Sequence, residues 1–166
     1  MASPIHRVVL EKDELTFSAA HFITFDQLGE VICEPIHGHN YGVRCEVEGT
    51  LNEHGYVVDF VLLTKLLKEI VEKLDHHVML PEKHPVIKVE QTGSEVVTTY
   101  EQRRWVFPKQ DCAILPISNT TAELIAGYVA EYLITHSTSW MHDGIQRLVV
   151  GIDENQGQWG ECQIDF

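Results

Sequence analysis

Cys33-Glu34-Pro35-Ile36-His37-Gly38-His39-Asn40-Tyr41 sets a thiol, a carboxylate and two imidazoles within one short stretch, and its continuation fixes how they face. Beyond His39 the apolar residues Tyr41, Val43, Cys45 and Val47 alternate with Gly42, Arg44, Glu46 and Glu48. A period of two is the mark of a strand with one buried face. Counted back in phase, His37 and His39 lie on that apolar face.

Burying an imidazole without a partner costs roughly 1 to 3 kcal/mol, so two on one inward face call for a reason. Zn2+ is the ordinary one, because a catalytic zinc takes three protein ligands and keeps one position open. The third ligand is expected from Leu15-Thr16-Phe17-Ser18-Ala19-Ala20-His21-Phe22-Ile23, where His21 shares a face with Phe17, Ala19 and Ile23. The alternative is that each histidine is a hydrogen-bonded core residue. Cys33, just before the strand and beside the expected metal, is a candidate for a lowered thiol pKa.

Working outward, residues 5–10 and 15–23 read as two strands joined by the charged turn Glu11-Lys12-Asp13-Glu14, and Thr24 to Pro35 reads as irregular. The strand over 39–49 runs to a turn at Asn52-Glu53-His54-Gly55 and a short strand at 56–58, giving a second hairpin. Asp59 is placed to cap a helix whose buried stripe is Phe60, Leu63, Leu66, Leu67, Ile70, Val71 and Leu74. It ends at Asp75-His76-His77, which read by themselves as the surface end of a helix.

Between Pro85 and Pro116, three strand-forming runs predict an extra hairpin or a small three-stranded excursion. Arg103, Arg104 and Lys109 within it read as a solvated charged edge, with steering of an anionic substrate as the alternative. A second helix opens at Asn119-Thr120-Thr121-Ala122-Glu123, with Thr120 and Glu123 at capping-box spacing. The last strand carries Leu148, Val150 and Ile152, and Glu154 in phase with them is a candidate anchor for a ligand rich in N–H donors.

The 166 residues suit one domain, 1–166, and 25 acidic against 12 basic side chains give a formal charge of -13. That balance argues against nucleic acid and anionic membranes as partners. No apolar run approaches the roughly 18 residues of a membrane helix, and a soluble cytoplasmic protein is expected. Four cysteines without Cys-x-x-Cys spacing predict no disulfide framework.

Six ordered blocks resemble the 6-pyruvoyl-tetrahydropterin synthase family, which includes the 6-carboxy-tetrahydropterin synthases of queuosine biosynthesis. They are Phe17-Ser18-Ala19-Ala20-His21-Phe22, Cys33-x-x-x-His37-Gly38-His39-Asn40, Val58-Asp59-Phe60, Leu74-Asp75-His76-His77, Asn119-Thr120-Thr121-Ala122-Glu123 and Glu154. The resemblance spans nearly the whole chain apart from an insertion at about 83–115. It implies an α+β T-fold, a four-stranded antiparallel sheet with two helices on one face plus that inserted hairpin. Its subunits would form a homo-oligomer, a hexamer made as a dimer of trimers, with active sites between chains.

It also implies roles. His21, His37 and His39 would bind zinc, Cys33 would be the catalytic thiol, and Asp75 with His76 would move protons. Glu154 would hold a pterin, with Thr121 and Glu123 nearby. The implied substrate is 7,8-dihydroneopterin triphosphate and the implied product 6-carboxy- or 6-pyruvoyl-tetrahydropterin. Two departures stand out. Glu34 follows Cys33 directly, and some relatives use a glutamate there to cleave dihydroneopterin to 6-hydroxymethyl-dihydropterin for folate synthesis. Asp153-Glu154-Asn155 also departs from the usual Lys/Tyr-Glu-Thr. A pterin- or zinc-binding protein without catalysis is the remaining reading.

Overall fold

The two short strands expected before residue 24 are one. The computed structural model describes residues 4–136, 138 and 140–166. Its strands and helices run β1 (His6–His21), β2 (Thr24–Gln27), β3 (Glu30–Cys33), β4 (His37–Gly49), α1 (Phe60–Leu74) and β5 (His77–Pro81). Then come β6 (Lys88–Thr92), β7 (Glu95–Tyr100), β8 (Arg103–Pro108), a 3-10 turn at Lys109–Asp111, β9 (Cys112–Leu115), α2 (Ala122–Thr135), β10 (Ile145–Asn155) and β11 (Gln158–Asp165).

Along β1 the charged segment is a bulge instead of a hairpin turn. Glu11 pairs with Arg44 and Thr16 with Gly42, so Lys12 to Leu15 stand against Val43 alone. That odd excess inverts the alternation. Leu10 is buried before the bulge, and Leu15, Phe17, Ala19 and His21 after it.

β11, β10, β4 and β1 form the expected antiparallel four-stranded sheet, and β5 and then β9 extend it in parallel beyond β1. Both helices cover one face. Val43, Cys45 and Val47 of β4 and Leu148, Val150 and Ile152 of β10 meet Leu63, Leu67 and Ile70 of α1 and Ile125, Val129 and Leu133 of α2. Each such side chain contributes about 1.5 to 3 kcal/mol by leaving water. Cys45 is the small core residue expected, its thiol pushed up to about 12 by burial.

Asp59 caps α1 as expected, its carboxylate accepting from the N–H groups of Val61 and Leu62. The capping box does not form. Thr121 is the N-cap of α2 without a side-chain bond, while the Thr120 hydroxyl is buried and donates to the Phe22 carbonyl. Residues 56–58 form no strand; the Asn52 turn closes on Tyr56, and Val57 and Val58 pack into the core.

The segment expected to be irregular holds the β2–β3 hairpin, turning through Leu28 and Gly29 at positive φ. β11 returns along β10 after Gly157 and was not anticipated. The inserted β6–β7–β8 sheet is the expected excursion. With β3 it encloses a second apolar cluster of Phe22, Cys33, Leu80, Ile87, Val96 and Tyr100, flanked by Trp105 and Phe107. No helix among the described residues is long and apolar enough to cross a membrane.

Candidate active site

The β1–β4 register sets His21 opposite His37 and Ala19 opposite His39, so the three imidazoles gather at one end of the strand pair. One nitrogen from each lies within 4.8 Å of the others. His21 is 1% exposed, His39 partly covered and His37 open. These are the three histidines singled out in the sequence, grouped so that they could hold a metal ion, and Cys33 is not part of the group.

The hydrogen bonds decide which nitrogens are free. His21 Nδ1 lies 2.8 Å from the Thr120 carbonyl and His37 Nδ1 3.0 Å from that of Pro35. A carbonyl only accepts, so both Nδ1 atoms carry the hydrogen and both Nε2 atoms keep a lone pair. His21 Nε2 is buried and makes no hydrogen bond, yet Glu154 Oε1 sits 3.1 Å away and also 3.8 Å from His39 Nε2. Burial lowers the His21 pKa to about 4, so a proton does not relieve the clash of lone pairs near neutral pH. A divalent cation does, and oriented imidazoles backed by carbonyls are the donor set that zinc takes.

Adjacent residues of an extended chain point to opposite sides, and here they divide the chemistry. Cys33 is turned into the second apolar cluster and is 6% exposed. Desolvation raises its pKa, which Arg103 only partly offsets, so the thiol is not the lowered, metal-side group expected. Glu34 lies beside His37, on the Nδ1 side of its ring. Its Oε1 accepts the Ile23 N–H at 2.9 Å and lies 3.8 Å from His37 Nδ1. Its own N–H donates to the Ile23 carbonyl at 3.1 Å, fixing the loop to the end of β1.

Asp75 and His76 are not brought to the triad within one chain. Asp75 accepts the Ser18 N–H at 2.8 Å and the His76 Nδ1 hydrogen at 2.8 Å, and these hold its carboxyl below the usual range. His76, at φ +59°, is exposed in a groove that Ser18, Ala20, Gly38 and Asn40 line together with Ala19 and the triad residue His39. Ser18, Ala20, Gly38 and Asn40 alternate with the triad and so belong to the other face of the sheet, while His39 borders the groove from the triad side. Thr121 is partly covered and Glu123 exposed in the first turn of α2, and among the described residues neither hydrogen-bonds Glu154.

The family model for 6-pyruvoyl tetrahydropterin synthase matches residues 11–164. The chain belongs to the 6-pyruvoyl tetrahydropterin synthase family. A Methanocaldococcus jannaschii protein, provisionally named a 6-carboxy-5,6,7,8-tetrahydropterin synthase, is 34% identical over 149 residues, 89% of this chain and 88% of its own. A dihydroneopterin monophosphate aldolase of Pyrococcus furiosus is 36% identical over 61 residues, 37% of this chain and 48% of its own. The crystal structure of the Plasmodium vivax 6-pyruvoyl tetrahydropterin synthase gives a TM-score of 0.87 at 27% identity, covering 99% of this chain and 100% of its own. Two variants of that enzyme, with a catalytic glutamate replaced by alanine or cysteine, give 0.86 at 25% identity over the same shares.

As a 6-pyruvoyl tetrahydropterin synthase family member, the chain is a lyase-type enzyme on a T-fold. Three residues at its site escaped the sequence reading. Thr120 orients His21 through a backbone carbonyl, which no side-chain pattern reports. Tyr41 is fully buried beside the triad with its hydroxyl unpartnered, and its alternation with Val43 made it look like plain core. Arg103 donates to the Cys33 and Glu34 carbonyls and is not a solvated edge.

Proposed function

We propose that this family member is a zinc-dependent lyase that cleaves the side chain of 7,8-dihydroneopterin triphosphate to 6-hydroxymethyl-dihydropterin, with Glu34 as its base. The observation that carries the reading is the placement of Glu34 beside His37 while Cys33 is packed away in apolar surroundings. The dihydroneopterin monophosphate aldolase relative and the catalytic glutamate of the Plasmodium vivax enzyme support side-chain cleavage with a glutamate base.

Zinc held by His21, His37 and His39 would act as a Lewis acid on the side-chain hydroxyls of the pterin. Glu34 takes the proton of the C2′ hydroxyl. The C1′–C2′ bond breaks, its electron pair passes into the C6=N5 imine of the ring, and C1′ gains a proton. The products are 6-hydroxymethyl-dihydropterin and a two-carbon aldehyde that keeps the triphosphate. Glu154 would hold the ring, and Asp75 with His76 would serve protons from a neighbouring chain in a hexamer built from two trimers. That assembly brings together the two sheet faces that one chain keeps apart.

The second reading is 6-carboxy-tetrahydropterin formation through Cys33, with release of acetaldehyde and triphosphate. The Methanocaldococcus jannaschii relative favours it. Incubating the zinc-loaded protein with 7,8-dihydroneopterin triphosphate and identifying products by mass spectrometry separates the two. The 6-hydroxymethyl product should form, vanish in Glu34→Gln and persist in Cys33→Ala. A carboxypterin lost in Cys33→Ala and kept in Glu34→Gln overturns the Glu34 assignment.

A further inference from the structure

We infer that Arg103 is a positioning residue that decides which of the neighbours Glu34 and Cys33 faces the imidazole triad. The inference rests on the lyase reading above and deepens it, because the choice between these two groups is the choice between products.

Arg103 Nη1 donates to the Cys33 carbonyl at 2.6 Å and Nη2 to the Glu34 carbonyl at 3.1 Å. One planar guanidinium therefore holds two consecutive peptide units, the ones that set the directions of both side chains. A fork of rigidly spaced donors can do this; a single ammonium cannot. The fork is itself fixed, with its carbon 4.6 Å from the centre of the Trp105 ring. Trp105 stacks on Phe22 at 4.8 Å with 15° between planes, and Phe22 directly follows the ligand His21.

The Tyr100 hydroxyl donates to the Val31 carbonyl, giving the inserted sheet another grip on β3. The Ile23 N–H and carbonyl meet Glu34 from the opposite side. Glu34 is thus locked between the end of β1 and the insertion. Without Arg103 the Cys33 carbonyl loses this donor and the Glu34 carbonyl keeps only the Cys33 thiol at 3.5 Å, so the two peptide units are held from the β1 side alone and the thiol is freer to leave the apolar cluster.

The test uses Arg103→Ala and Arg103→Lys in the full chain with zinc. Formation of the 6-hydroxymethyl product should fall by up to about 100-fold in kcat, as for misaimed catalytic groups, with little change in KM. Any carboxypterin should rise as a fraction of product, and the lysine variant should lie between alanine and wild type. Independently of turnover, alkylation of Cys33 by iodoacetamide, mapped by peptide mass spectrometry, should speed up severalfold in Arg103→Ala while zinc content stays that of wild type.

Unchanged Cys33 labelling together with an unchanged product ratio overturns the inference. So does loss of zinc in step with activity in both variants, since that marks a residue supporting the fold at large. Failure of the lyase reading leaves the labelling result standing, so the two are distinguished.

Discussion

His21 Nδ1 is held 2.8 Å from the Thr120 carbonyl, so a residue just before α2 selects the nitrogen that a β1 histidine presents to its neighbours. The presented nitrogen, Nε2, is buried, unpaired and set against the Glu154 carboxylate. Its one good partner is a cation.

Chelation should therefore destabilise the protein, and zinc should restore it. At a free zinc concentration 100 times its Kd the gain is about 2.7 kcal/mol, read as a rise in Tm. His21→Gln should abolish both the response and the bound zinc. An equal Tm with chelator and with zinc would remove the metal from the account.

In metal-free protein the same histidine links stability to pH. Its pKa falls from 6.5 to about 4 on folding, so the unfolded chain binds the proton more tightly. Stability is then full above about pH 6.5 and drains away as pH falls toward 4, by roughly 3 kcal/mol over the whole window. Urea unfolding at several pH values should show this slope in wild type and a shallower one in His21→Gln. Asp75, whose carboxyl is depressed, adds its own loss at lower pH in both proteins.

Gly38 separates two ligands on one strand, and a Cβ there would stand 3.2 Å from the Ala19 carbonyl oxygen of the neighbouring strand. Gly38→Ala should spread β1 from β4 by a few tenths of an ångström where His21 meets His37. Zinc affinity should fall by about 10-fold, as when ligand support is disturbed, with a stability loss of only about 1 kcal/mol. A competition titration against a chromophoric chelator measures the first and urea unfolding the second.

At Gly160 the sheet touches α2 directly, since an added Cβ would lie 2.7 Å from both Ala122 Cβ and the Glu123 nitrogen. Gly160→Ala should cost about 1 to 3 kcal/mol by overpacking, seen as a lower Tm.

Alternation made the triad legible, because period two survives in any strand with one buried face and His21, His37 and His39 all lie on it. It made α1 legible through Asp59 and the leucine stripe. The β2–β3 hairpin stayed hidden because Leu28, not Asn or Asp, precedes Gly29 in the pair of left-handed positions that makes the turn. Thr120 imitated a cap by spacing while its hydroxyl served the Phe22 carbonyl. The orientation of Cys33 and Glu34 was beyond reading, since their order fixes only that they oppose each other. The group that settles it, Arg103, lies some 70 positions downstream.

The bulge at Lys12 to Leu15 sets a rule of parity on the first strand. Three extra residues carry His21 to the inner side, and one or five would do the same, whereas two or four would swing it outward and leave His37 and His39 without their third companion. Natural or engineered length changes in that acidic loop should be tolerated in pairs and forbidden singly, however far its charged tip stands from the imidazoles.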